Sequence, residues 1–473
     1  MADNGGFLKV LGRGDVLALA FGAMIGFGWI VLTSDFISEA GPLGAALAMA
    51  GGGLIVCMVG LTYAELVSAM PHAGGEHNYA LRALGGRGAF VASWALVLGY
   101  ASVAAFEAVA LPQTVLHLFP DMLAGHLWTV ADYDVHASWV AVGVVSAVGI
   151  TALNYRGIRP ASVFQTIAVL FLLASGAALL LGSLTGGSTG NMRPLIAGGM
   201  EGFFTVLVAV PFLFVGFDVI PQSAAEIKLP YRQMGKLLVV SVLCATVWYV
   251  MIMLTVGSGL SASALADSEL ASADAMAAVW NSEAMGDVLV IGGIAGILTS
   301  WNAFLIGGSR LLYAMARSRM VPGWFGRVHP RFRTPGNAVL FIGGLSVLAP
   351  LFGEPMLVWL VDAGGINIVI AYTVVVMCFL MLRRREPAMD RPFRTPGGVA
   401  SGVVALILSL GLATLYLPGM PAALIWPAEW AIVGGWWLVG AVFLWRLPRV
   451  AAGEDAEQRL IEAVAARDTV TPR

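Results

Sequence analysis

Charge is what this chain has least of. Of its 473 residues only 11% are Asp, Glu, Lys or Arg, against about 25% in soluble domains, which excludes a soluble globular protein. Cysteine is almost as scarce. Cys57, Cys244 and Cys378 all fall inside apolar runs, which excludes a disulfide framework and a cysteine metal cluster. Also missing are a phosphate-binding glycine loop, a nucleophile elbow and any metal-ligand spacing, so neither an enzyme nor a nucleotide-driven pump is expected. No cleavable signal is expected either, because the first apolar run is too long and no small-residue site closes it. Nothing points to nucleic acid, and no cofactor is expected.

What is present is apolar surface: 59% hydrophobic residues and a mean hydropathy of +0.85. Such a chain is an integral membrane protein, all-α because helices satisfy their own backbone in lipid. Twelve apolar spans can be drawn, at about 15–40, 43–70, 87–118, 137–155, 160–184, 201–226, 233–259, 286–316, 337–353, 356–382, 398–417 and 428–446. Their even spacing leaves no room for a separate soluble domain: a short N-terminus (1–14) precedes spans one to five (15–184), six to ten (201–382) and eleven and twelve (398–446), and a polar tail (447–473) follows. Basic residues alternate strictly between the loops: Lys9 and Arg13, Arg82 and Arg87, Arg156 and Arg159, Lys228 to Lys236, Arg317 to Arg333, and Arg383 to Arg394. The opposite loops carry Asp121, Asp132, Asp134, Asp267, Glu269, Asp274, Glu283 and Glu354, with Arg193 the lone basic residue. The positive-inside rule then puts both termini in the cytoplasm of a multi-pass inner-membrane protein.

Two spans are interrupted. The first carries Gly22-Ala23-Met24-Ile25-Gly26-Phe27-Gly28, and each glycine weakens a helix interior by roughly 0.5–1 kcal/mol relative to alanine. A helix opened there presents free N–H groups and the positive end of a second half-helix, expected to start near Gly28, to an anionic group. The same glycines also suit close helix packing. The sixth span carries Pro211, Gly216 and Asp218. Interruptions at matching places in two halves are a sequence pointer to a transporter site.

Six motifs carry a resemblance. They are Gly26-Phe27-Gly28; Tyr63-Ala64-Glu65-Leu66 followed by Pro71-His72-Ala73-Gly74-Gly75-Glu76; Leu153-Asn154-Tyr155-Arg156-Gly157; Phe214 to Asp218 with Ala225 to Pro230; Ser309 to Arg317; and Arg391 to Pro396. In this order the chain resembles the amino acid–polyamine–organocation (APC) permeases over nearly its whole length. The resemblance implies a five-plus-five inverted repeat with two additional helices, and import of an amino acid or related amine by alternating access. It implies that amides of Phe27 and Gly28, beside Gly26, hold a substrate carboxylate, and that carbonyls near Met24, Phe212 and Val215 accept from its ammonium. Phe212 would close over the substrate, while Tyr100, Val103 and Phe304 would set selectivity; ordinary helix packing is the alternative for each aromatic. Phe27 departs from the small polar residue usual at its position.

Three acids, Glu107, Asp218 and Asp362, lie within apolar spans, where a charge costs on the order of 2.5–3.5 kcal/mol even on lenient scales. Glu107 lies one turn after Val103 and is read as a binder of a cationic group or a proton carrier; Asp218 and Asp362 are read as coupling or gating residues. Every histidine falls in a loop or at a span end. The fifth span has no lysine, the ammonium that replaces sodium in some proton-coupled relatives; Phe171-Leu172 stands there. Thr299 and Ser300, with carbonyls of Gly22, Ile25 and Gly296, therefore read as a sodium site, since hard cations take oxygen ligands. Back-bonding of both hydroxyls is the plain alternative. Sodium, a proton or plain exchange stay open, as does a polyamine or cationic-amine substrate. A receptor that reuses the fold is the reading from another class.

Overall fold

The computed structural model describes residues 7–268 and 270–470; Glu269 and the extreme ends of both terminal segments lie outside the described residues. In chain order the helices are α1 (Arg13–Met24), α2 (Thr33–Ala69), α3 (Glu76–Leu84), α4 (Gly86–Leu118), α5 (Ala137–Tyr155), α6 (Ile158–Gly186), α7 (Gly199–Phe214), α8 (Val219–Gln222) and α9 (Tyr231–Gly259). There follow α10 (Ala262–Ala266), α11 (Ala271–Trp280), α12 (Glu283–Arg317), α13 (Gly336–Leu348), α14 (Pro355–Arg385), α15 (Val399–Thr414), α16 (Ala428–Arg446) and α17 (Ala456–Val470). A hairpin of β1 (His126–Val130) and β2 (Tyr133–His136) pairs antiparallel between α4 and α5. Among the described residues nine helices are long and apolar enough to cross a membrane, with two shorter apolar ones at 336–352 and 399–414. The chain is a multi-pass helical membrane protein.

The first two apolar spans are not separated by a loop. α1 ends at Met24, and α2 begins at Thr33 and runs through a kink at Gly41, whose φ of +74° suits glycine alone. Pro42 follows, where its missing N–H starts a new helical segment without loss. An outer strap closes over the kink, with the Leu43 N–H donating to the Leu195 carbonyl (2.9 Å) and the Ala197 N–H to that of Ala40 (2.8 Å). The core sits where α2 packs along α9, and α4 against α12 and α14.

Polar motifs at the helix ends meet in pairs. Glu65 accepts from Arg383 Nε (2.9 Å) and from the Thr395 N–H (2.8 Å), and Arg391 Nε lies 3.0 Å from its Oε1. Glu226 takes a two-pronged contact from Arg310, 3.0 Å at each prong, with both side chains 1% exposed. Asn154 donates to Asn302 (2.8 Å), Asn302 to Gln165 (2.7 Å), and Gln165 to the Ala18 carbonyl (3.2 Å), which ties α5, α12, α6 and α1 together. His77 is buried between Ser93 (3.1 Å) and Ser318 (2.8 Å), and burial pushes its imidazole down to about 4.

The Glu226–Arg310 pair supplies a stability prediction. Removing one partner of a buried ion pair leaves a desolvated charge and costs about 3–5 kcal/mol. Glu226→Gln is therefore expected to lower the melting temperature of the purified protein sharply, and Arg310→Met introduced on top of it to recover most of the loss. An unchanged melting temperature in Glu226→Gln would contradict the pairing.

Candidate functional site

The two interruptions meet. Between α1 and α2 the chain leaves the helix over Ile25–Leu32, and the amides of Gly26, Phe27 and Gly28 find no backbone carbonyl partner among the described residues. The helix does not restart near Gly28 as expected but at Thr33. The Thr33 hydroxyl donates to the Trp29 carbonyl (2.8 Å) and so does Ser272 from α11 (2.7 Å), so the opening is held out to its far end. In the second interruption α7 stops at Phe214, Val215 is extended and Gly216 takes φ +130°. The Gly216 N–H donates to Asp218 Oδ1 at 2.8 Å. A Cβ on Gly216 would lie 2.5 Å from that of Ala23 and 3.1 Å from the Met24 nitrogen, so only glycine lets the two openings touch.

Glu107 reaches into the first opening from α4. A Cβ on Gly26 would fall 2.3 Å from Glu107 Oε1 and 2.7 Å from Ser300 Oγ. The carboxylate is fully buried and neither oxygen closes a hydrogen bond of ordinary geometry; its nearest polar groups are the Ser300 hydroxyl and the Phe27 N–H. Three rings meet at this opening, Phe27 against Phe106 at 3.6 Å between centroids, with Phe212 5.8 Å from each. Gly28 faces Leu213 and the Tyr249 hydroxyl, and that hydroxyl donates to the Met24 carbonyl at 2.9 Å. Arg310, Arg391 and His77 are the buried basic side chains among the described residues; Glu226 and Glu65 take the two arginines, and His77 lies between Ser93 and Ser318. The site is therefore acidic and aromatic, suited to a cationic or zwitterionic group.

The other expected residues divide. Tyr100 and Phe304 pair at 5.5 Å beside Asp218, and Val103 is buried one turn before Glu107. Thr299 donates to the carbonyls of Gly296 (2.8 Å) and Gly22 (3.1 Å), and the Ile25 carbonyl lies against Gly296. Ser300 lies against Gly26 and Glu107, one turn further along the first span than the contact of Thr299 with Gly22. Leu172 packs on Gly296. Asp362 stands apart from both openings, half-buried beside Tyr416 and Glu429. Sequence reading missed Phe106, Tyr249 and Ser272. Phe106 and Tyr249 had no signal beyond being aromatic in an apolar span, and Ser272 lies outside every span.

The Amino acid permease family model matches residues 11–443. The chain is 28% identical to the branched-chain amino acid permease BcaP of Bacillus subtilis, over 86% of this chain and 89% of that one. It is 26% identical to the methylthioribose transporter of the same organism, over 90% and 92% of the two chains. To the aspartate–proton symporter of Bacillus subtilis it is 23% identical, over 93% and 83%. Broken helices that meet at an acidic, aromatic site thus belong to a chain that matches permeases over most of its length, and this protein is a member of the amino acid permease family of the APC superfamily, a transporter and not an enzyme.

Proposed function

We propose that the protein imports an amino acid or related amine across the cytoplasmic membrane by alternating access, as a secondary active transporter with cytoplasmic termini. Twelve transmembrane helices would be arranged as a five-plus-five inverted repeat (15–184 and 201–382) followed by two more. The substrate would lie between the openings at 25–32 and 215–218, against Gly26, Phe27 and Gly28. The observation that carries this reading is the contact of Gly216 with Ala23 and Met24, since two half-helices that meet at their broken ends form a midplane site in secondary transporters. The relatives' substrates, branched-chain amino acids and aspartate among them, set the first compounds to test.

A second reading, a cationic amine without a carboxylate, is favoured by one observation. Glu107 brings a carboxylate of its own to the amides that would hold the substrate's.

For coupling, we propose a sodium ion at Gly22, Ile25, Gly296, Thr299 and Ser300, with a proton or plain exchange as the alternatives. The test is uptake of labelled amino acids and amines into proteoliposomes holding only this protein, at fixed pH, with sodium replaced by potassium or choline. Saturable uptake of at least one compound is expected, and none across the whole panel would refute transport. Uptake indifferent to sodium would refute the sodium site.

A further inference from the structure

A second buried acidic group lies on the other side of Asp218, and the substrate site makes no use of it. Glu76, the first residue of α3, is fully buried. Its Oε2 accepts from Gln222 Nε2 of α8, and the preceding Gly75 is pressed on Pro221. Asp218 lies within electrostatic reach of it. Four tyrosines from four helices surround the two carboxylates: Tyr63 of α2, Tyr79 of α3, Tyr100 of α4 and Tyr372 of α14. None is more than 1% exposed, and no hydroxyl of the four closes a hydrogen bond of ordinary geometry. The Tyr63 hydroxyl lies nearest Glu76 and the Tyr100 hydroxyl nearest Asp218. Glu76 Oε1, Asp218 Oδ2 and Gln222 Oε1 are equally without a partner.

No basic side chain among the described residues acts on either acid. His77 is turned away to Ser93 and Ser318, and Arg310 is held by Glu226. Two like charges buried together with no counterion cannot both persist, so the favoured arrangement is one negative charge and one proton shared between two carboxyls. Burial pushes the Glu76 carboxyl well above the usual carboxylate range, and the Asp218 charge pushes the same way. The tyrosine hydroxyls are donors that suit the remaining charge.

We propose that Glu76 and Asp218 form a two-carboxylate site that takes up and releases one proton, and that this proton controls the 215–218 opening. On uptake one O–H bond forms at the pair; on release it breaks and the proton passes to water, with no other bond changed. The link to the opening is the Gly216 N–H, which Asp218 Oδ1 holds at 2.8 Å. A neutral Asp218 is a weaker acceptor than a charged one, so protonation loosens the turn that packs on Ala23 and Met24. The role in coupling rests on the transport reading above, whereas proton binding itself does not.

Two measurements test it. In an infrared pH titration of the purified protein, a protonated-carboxyl band equivalent to one proton is expected, and Glu76→Gln and Asp218→Asn should each move its titration to lower pH, because the remaining acid stays buried but no longer faces a second negative charge. Tyr63→Phe keeps both acids and removes a donor to the charged form, so the band should persist to higher pH. A titration unmoved in both acid variants, or unmoved in Tyr63→Phe, overturns the site with or without any transport. In proteoliposomes, a pH gradient of about one unit should drive about tenfold accumulation at one proton per substrate, and Glu76→Gln should bring that ratio to about one. Accumulation that still follows the gradient in Glu76→Gln overturns the coupling role.

Discussion

Gly26→Val is expected to weaken substrate binding about a hundredfold, in a protein that is still made and inserted. The first added carbon would lie 2.3 Å from Glu107 Oε1 and 2.7 Å from Ser300 Cβ. The carboxylate is the end of a flexible chain and can withdraw, but Ser300 Cβ is fixed to the backbone of α12 and cannot. Overpacking of this kind costs about 1–3 kcal/mol, and the upper end corresponds to about two orders of magnitude in Kd. The cost falls on binding because the displaced groups, Glu107 and the Phe27 amide, are the ones a substrate would touch. Gly28 makes a graded comparison. Its added carbon would meet Leu213 Cδ2 at 2.2 Å and the Tyr249 hydroxyl at 3.1 Å. A leucine tip can swing aside, so Gly28→Ala should retain binding, weakened about tenfold by a cost near 1.4 kcal/mol, whereas Gly28→Val should lose it. Calorimetry with a ligand identified by uptake reads the affinity, and the elution profile of the purified variant reads folding. Wild-type affinity in a folded Gly26→Val would remove the first opening from the binding site.

The contrast between these glycines marks what was legible in the sequence. That the first apolar span opens near Gly26 could be read from three glycines in a helical run, because helix propensity is local. The length of the opening could not. It extends to Thr33 because Ser272 of α11 reaches the Trp29 carbonyl, a contact between segments far apart in the chain. Helix ends at Ala137–Tyr155 and Ala428–Arg446 agree with the expected spans, since each apolar run there is bounded by polar or proline-containing sequence. The loop motifs were visible as motifs, but their pairing was not. Nothing in Tyr63-Ala64-Glu65-Leu66 says that Glu65 binds Arg383 and Arg391, or that Glu226 takes Arg310. Thr299 and Ser300 show the limit most plainly. Adjacent hydroxyls on one helix point about 100° apart, and only the tertiary packing settles that one faces Gly22 while the other faces Gly26.

Glu107 is the residue on which substrate class turns, and Glu107→Gln is expected to separate cationic from neutral substrates. The substitution preserves shape and removes one negative charge, so its effect on packing at Phe27, Phe106 and Ser300 is small. A cationic amine bound against Glu107 loses an ion pair that, at about 4 Å and an effective dielectric near 20, amounts to about 4 kcal/mol before desolvation. Even after the desolvation of both charges is subtracted, binding should weaken at least about tenfold, or 1.4 kcal/mol. A zwitterionic amino acid with a neutral side chain meets the opposite balance. Its carboxylate would share the Gly26–Gly28 amides with the Glu107 carboxylate, and removing that like charge leaves its affinity equal or improved. Competition by each class against one labelled substrate, in wild type and Glu107→Gln at the same pH, gives the two ratios side by side. A loss confined to amines assigns Glu107 to the substrate's cation. Equal losses in both classes would leave it a structural residue, and a gain for amino acids with no loss for amines would exclude the amine reading.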